Sequence, residues 1–432
     1  MSPRTGELPD ETPQTGTGAR AIVARVRTPG TGGKLLLLSS LYLAQGLPDG
    51  FFRQALPVML RREGVSLEGI GLASLLMLPW ALKFLWAPLV DRHGWSRVGR
   101  RRSWILPLQT LAVLLLLWLS TAEPQRGLAP LLVGVLVINL LAATQDIAAD
   151  GLAVTLLRPE ERGLGNGVQV AAYRLGMILS GGVLIIFLEE IGWARTFYVM
   201  AGISALALLP VVLMREAPSP RPERAGLGVL AEFVRLPDMR AWLWTIAAFK
   251  FGEAFGMAML RPMFVDRGLS LTALGWITGT AGFIASLVGA MIGGALVGWL
   301  GRLDRHRILL VFGVLQALAV GSYVLLAAGP LDLVLVYLLS TVEHLCSGMA
   351  TAALFTMMMD AARPHAAGSD YTAQASVVVM ATGLGSALSG FSAQALGYAG
   401  HFAMAAALCL LALLPVVWHR DRVRRTGAAS LP

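Results

Sequence analysis

Asp146 and Asp150 stand four residues apart in "LVINLLAATQDIAAD" (136–150), a run that is otherwise largely apolar. On a helix that spacing puts both carboxylates on one face, together with Asn139. Two ionised carboxylates so close repel, and one tends to hold a proton unless a cation lies between them. The pair is therefore the first choice for a proton carrier, with Asp49 and Glu253 as further candidates. Asp49 and Arg53 are four apart and Lys250 and Glu253 three apart, so each pair can form a local ion pair. Arg53, Lys83, Arg174 and Lys250 suit an acidic ligand. Gln45, Gln145, Gln169, Tyr173, Glu343, His344, Tyr371 and Gln374 are the other polar residues expected to line a cavity, although any one of them could instead bond a neighbouring helix.

The elements that must position these groups are apolar helices. The chain has 432 residues, 56% hydrophobic and 14% charged, whereas soluble domains are about a quarter charged. A run of about 20 apolar residues crosses the roughly 30 Å hydrocarbon core. Twelve such spans are expected, near 35–60, 67–90, 103–121, 128–157, 165–189, 195–214, 241–265, 271–300, 307–328, 331–360, 370–394 and 400–419. Asp49, Arg53, Lys83, Asp146, Asp150, Arg174, Lys250, Glu253 and Glu343 then fall at bilayer depth. Facing lipid, they would cost on the order of 20 kcal/mol together, so they must face water or one another.

The net charge of +9 does not point to nucleic acid, because the arginines gather in alternate loops. They cluster at Arg92, Arg97 and Arg100 to Arg102, at Arg158 and Arg162, from Arg215 to Arg240, at Arg302, Arg305 and Arg307, and from Arg420 to Arg425. By the positive-inside rule those loops and both termini are cytoplasmic, in the inner membrane. Residues 1–33 and 420–432 read as cytoplasmic tails, the first disordered. Cys346 and Cys409 sit in apolar helices as small buried hydrophobes. No metal-ligand spacing and no HExxH or GxSxG motif argues for an enzyme. With no GxxxxGK[ST] loop either, the energy source expected is an ion gradient. A monomer without metal or cofactor, working with a small-molecule substrate, protons and the bilayer, is the expected unit.

The chain is also written twice. "EGVSLEGIG" (63–71) matches "RGLSLTALG" (267–275) at an offset of 204. At 205, Arg158-Pro159 recurs as Arg363-Pro364, Gly163 as Gly368, Gln169 as Gln374, and "ALLPVV" at 207–212 as 412–417. Two six-helix bundles are thus expected, at 34–214 and 241–419, joined by a cytoplasmic linker at 215–240. The offset of 204 makes Glu253 the counterpart of Asp49, each followed two residues later by phenylalanine, Phe255 and Phe51. Gly275, Gly279, Gly282, Ser286, Gly289 and Gly293 form a small-residue stripe, read either as a sliding interface or as static close packing.

This parallel duplication resembles the major facilitator superfamily, which implies an all-α polytopic fold with substrate bound between rocking halves. "LVDRHGWSRVGRRRS" (89–103) resembles that superfamily's loop motif between helices 2 and 3, though Ala87 stands where glycine is usual. The resemblance implies a cytoplasmic latch built from Asp91, Arg92, Arg100, Arg101 and Arg102. "LKFLWAPLVDR" (82–92), "TQDIAAD" (144–150) and "YRLGMILSGG" (173–182) resemble the AmpG family of anhydromuropeptide permeases. "LYLAQGLPDGFFRQALPVMLRREG" (41–64), "TMMMDAARPHAAGSDYTAQAS" (356–376) and "LGYAGHFA" (396–403) resemble siderophore permeases of the rhizobactin and pyochelin type. The resemblance implies proton-coupled siderophore import first. Muropeptide import and proton-driven efflux of a small molecule are the alternatives.

Overall fold

A computed structural model of the protein describes residues 30–62, 74–95, 97–122, 127–184, 190–216, 226–270, 273, 275–300, 305–330 and 332–417. The expected tails, except for 30–33, lie outside the described residues, as do the repeat segment 63–71 and positions 217–225 of the linker.

All regular elements among the described residues are helical. The first half holds α1 (Thr31–Arg62), α2 (Leu78–Leu82), α3 (Ala87–Arg92), α4 (Arg102–Leu119), α5 (Leu128–Leu156), α6 (Arg162–Ile178), α7 (Trp193–Leu206) and α8 (Leu209–Leu213). A short helix, α9 (Gly228–Arg235), lies within the expected linker. The second half holds α10 (Met239–Met257), α11 (Leu260–Asp266), α12 (Gly282–Leu300), α13 (Arg305–Ala328), α14 (Leu333–Asp360) and α15 (Ala367–Leu411). The duplication is visible in these bounds, since an offset of 205 carries Leu128, the first residue of α5, to Leu333, the first of α14.

Nine segments among the described residues are long and apolar enough to cross a membrane. The last runs 54 residues from Pro364 to Val417, about 80 Å of helix against a core of roughly 30 Å. It folds back at Gly397, whose φ of 67° suits a residue without Cβ, so it is long enough for two of the twelve expected crossings. The expected second span, which is described only from residue 74 onward, is not among the nine, and prolines interrupt its described part. Pro79 and Pro88 lack the N–H that continues a helix, and α2, a 3-10 turn at Lys83–Leu85 and α3 replace one rod. The break sets Lys83, 2% exposed, against α5. Pro262 likewise separates α11 from α10.

Where the halves touch differs between the two ends of the bundle. At the arginine-rich end one apolar core is shared. Leu38, Tyr42, Val154 and Leu157 of the first half pack in it with Trp242, Phe312, Met358 and Tyr371 of the second. Toward the other end each half has its own core, one around Phe51, Leu119 and Phe197 and another around Phe264, Tyr323 and Phe402. Among the described residues, the halves thus share apolar packing at one end of the bundle and keep separate cores at the other.

Close backbone approaches draw the rods together. Side chains at Gly46 and Gly176 would strike the crossing of α1 and α6. The small-residue stripe resolves into packing within one half, because Gly282, Ser286, Gly289 and Gly293 face α14 at His344, Gly348, Leu345 and Met349. The contact between halves is made by an adjacent face, where Gly294 meets Gly163 and Gly167 of α6.

Candidate functional site

A cavity of about 820 Å³ lies between the halves. On its first-half wall, Lys83 Nζ donates to Asp146 Oδ2 and stands 3.9 Å from Asp150 Oδ2. The cation that two neighbouring acids require is therefore present, supplied by the break between α2 and α3. Asp150 Oδ1 accepts from the Tyr42 hydroxyl at 2.5 Å and from Gln169 Nε2 at 3.4 Å. Trp80 supports the group, donating to Asn139 Oδ1 at 3.0 Å with its ring 5.4 Å from the lysine ammonium. Two carboxylates and one ammonium carry one negative charge when all are ionised, and one proton makes the group neutral.

The second-half wall is built differently. Lys250 Nζ donates to Glu253 Oε2 at 2.8 Å and to Thr351 Oγ1 at 2.7 Å, under the Phe355 ring at 5.9 Å. Ser347 donates to the other Glu253 oxygen. One cation and one anion are neutral without any proton. Asp49 and Arg53 form the third pair, Arg53 Nε donating to Asp49 Oδ1 at 2.7 Å. The Arg53 side chain is 51% exposed and that of Asp49 only 2%. The matching phenylalanines point elsewhere, Phe51 against Phe197 and Phe255 against His401.

Tyr173, Arg174, Gln169, His344 and Tyr371 also reach the wall. Four residues expected there do not. Gln145 donates to Gln109 within the first half, and Gln374 is used up by the Trp242 indole and the Met358 carbonyl. Gln45 is buried away from the cavity, and Glu343, 1% exposed, pairs with His344 Nδ1 at 3.0 Å behind the wall. Tyr42, Trp80, Arg261 and Thr351 are wall residues that the sequence reading passed over.

Residues 38–381 match the Major Facilitator Superfamily. The chain belongs to that superfamily. Within it, this transporter is 33% identical over 331 residues to the anhydromuropeptide permease of Escherichia coli (strain K12), covering 75% of this chain and 67% of that protein. It is 24% identical over 405 residues to the putative transporter AmpG 4 of Rickettsia felis, covering 90% and 97%. Among solved structures, the superfamily transporter FucP in its outward conformation superposes with a TM-score of 0.67 at 16% identity, covering 90% of this chain and 98% of that one. The transporter is thus a multi-pass membrane protein homologous to AmpG-type permeases. These relatives give no support to the siderophore branch, and they favour the muropeptide alternative.

The 89–103 loop joins the halves at the arginine-rich end. Asp91 pairs with Arg101 rather than Arg92, whose side chain is exposed. Its carboxylate also accepts from the backbone N–H groups of Gly368 at 3.2 Å and Ser369, at the start of α15 in the other half. Those N–H groups open a helix and lack intrahelical acceptors, which favours an anion there. The Arg101 guanidinium occupies the space that side chains at Gly151 and Gly368 would fill. Arg100 and Arg102 bond to carbonyls of the first half. Arg100 donates to the Asp91 carbonyl at 3.0 Å, and Arg102 to the carbonyls of Val211 and Val212 at 3.0 and 2.8 Å. A second tie crosses the halves through Asp360, which accepts from Arg162 at 2.8 Å and from Arg305, while Arg305 also reaches the Pro159 carbonyl.

Proposed function

We propose that this protein imports a large, carboxylate-bearing ligand of the anhydromuropeptide class across the inner membrane, coupled to protons bound at Asp146 and Asp150. The observation that carries the reading is the cavity between the halves. Its volume, about 820 Å³, is near the upper end of the roughly 300–1,000 Å³ usual for small-ligand sites, and its wall holds more cations than acids. The relationship to an anhydromuropeptide permease supports the choice of cargo. With the arginine-rich loops cytoplasmic, the end sealed by Asp91, Asp360 and the shared core faces the cytoplasm, and the cavity opens outward. Rocking then requires those ties to break while the separate cores at the outer end close over the ligand.

One proton moving down about 100 mV supplies about 2.3 kcal/mol, enough for roughly fiftyfold accumulation. The test is uptake into membrane vesicles under an imposed proton gradient, comparing labelled anhydromuropeptide with labelled ferric siderophore. Uncoupler-sensitive accumulation of the muropeptide is expected. Accumulation of the siderophore alone would overturn the cargo, and muropeptide accumulation indifferent to the uncoupler would overturn the coupling.

A further inference from the structure

The cavity wall holds five cations and four acids, and the surplus sits in one place. Arg53, Lys83 and Lys250 are each held by an acid. Arg174 and Arg261 also line the cavity, and neither has an acid within ion-pairing distance among the described residues. Glu253 and Glu343 act on Arg174 through space without touching it.

What holds these two guanidiniums is unusual. The Arg174 guanidinium lies over the Phe283 ring, 5.9 Å from its centre. Arg261 Nε donates to Thr278 Oγ1 at 3.2 Å. Both anchors belong to one stretch, the π-helical turn Gly275–Ala281 and the first residues of α12 that follow it. Arg174 approaches from α6 in the first half and Arg261 from α11 in the second. π-Helical turns are rare and concentrate at functional sites. A guanidinium stacked on a ring keeps its N–H edge free. An unpaired charge at bilayer depth is costly, so the counter-charge missing at the half-buried Arg174 is one that a ligand can supply, and the exposed Arg261 offers it a second guanidinium. A carboxylate matches the guanidinium fork with two parallel acceptors.

We propose that Arg174 and Arg261 form the carboxylate subsite of the cavity, taking a free carboxylate of the substrate's peptide, with Phe283 and Thr278 holding the two guanidiniums ready. Because one arginine comes from each half, a carboxylate bound between them ties the halves together at the outer end. The proposal rests on the peptide-bearing cargo proposed above.

The experiment measures binding to the full-length protein in lipid nanodiscs, using labelled anhydromuropeptide with free carboxylates and the same compound with every carboxylate converted to carboxamide. The wild type should prefer the acid form by about 10- to 100-fold, the range of a charge-assisted hydrogen-bonded contact. Arg174→Gln should erase most of that preference by weakening the acid form while leaving the amide form unchanged. Arg174→Lys, which keeps the charge and loses the fork, should fall between, and Arg261→Gln should show a smaller loss. Where Arg174→Gln does not fold, Arg174→Lys reads the same preference. Equal binding of the two forms by wild type, or a preference undiminished by either Arg174 variant, overturns the subsite and leaves the cargo class standing. Binding of neither form by wild type overturns the cargo class and the subsite with it.

Discussion

Each half of the molecule sets a buried lysine against the fourth helix of its own six, and the two settings differ by charge. Lys83 meets Asp146 and Asp150 on α5, whereas Lys250 meets Thr351 and Phe355 on α14. These are the same positions of the duplicated chain, since an offset of 205 carries 146 to 351 and 150 to 355. The lysine-facing site persists in both copies while the acids become a hydroxyl and a ring. Tyr42, which donates to Asp150, corresponds at 204 to Ile246, a core residue. The first cluster has an odd count of charges and the second an even one. An odd, buried cluster gains a neutral state from one proton, and an even one loses it. On this comparison we propose that the first half carries the proton and the second holds a fixed pair.

The strongest way to break that comparison is to neutralise each side in turn. Asp146→Asn or Asp150→Asn should reduce gradient-driven accumulation in vesicles from about fiftyfold to simple equilibration, while exchange of internal for external ligand continues. Glu253→Gln should keep uncoupler-sensitive accumulation. Full accumulation by both Asn variants and by the double variant would remove the proton from this cluster. A smaller effect concerns stability. Lys83→Ala leaves two buried acids without a cation, at a cost of about 3–5 kcal/mol, and adding Asp146→Asn should restore part of the loss. Lys250→Ala leaves Glu253 bonded to Ser347 and should cost less. Thermal unfolding in detergent ranks the three, and a larger loss at Lys250 would reverse the assignment.

Much of this contrast is legible in the sequence, and the parts that are not share a cause. The repeat, the intramembrane charges and the two local ion pairs follow from spacing alone, because i,i+3 and i,i+4 neighbours share a helix face whatever surrounds them. Arg261 follows from the same rule, since 250, 253, 257 and 261 trace one face, and it was hidden only by its place near the expected end of a span. Gln45, Gln145 and Gln374 were unreadable. A buried glutamine looks the same in sequence whether it lines a wall or bonds another helix, and the rotation of the helix decides. Which of the latch arginines meets Asp91 follows in part from helix geometry, since residues i and i+1 point apart on a helix. Asp91 therefore looks past Arg92 to Arg101 on the next element. Lys83 was recognised as a cavity residue, but its bridge to both acids depends on how Pro79 and Pro88 break the span, which is a tertiary outcome.

The smallest effect tests the even-charge rule outside the membrane. Glu161, beside the start of α6, accepts from Lys34 Nζ at 2.6 Å, the Thr31 hydroxyl at 2.7 Å and the Arg158 N–H at 2.9 Å. Burial works to raise this carboxyl, and the bonds from Lys34, Arg158 and Thr31 outweigh it, lowering it to about 2. A carboxyl depressed on folding adds stability that is fully present above its ordinary value of 4.5 and is lost as pH falls toward 2. The wild-type unfolding midpoint in detergent should therefore take no pH dependence from this group between pH 6 and 8, where its contribution is complete, and should decline below about pH 5. Glu161→Gln should flatten only that acid decline, and by little, because the pair is near the surface. If Glu161→Gln instead removed a change in midpoint between pH 6 and 8, a one-to-one pair would be exchanging a proton in the working range. The argument that separates Asp146 and Asp150 from Glu253 would then lose its basis.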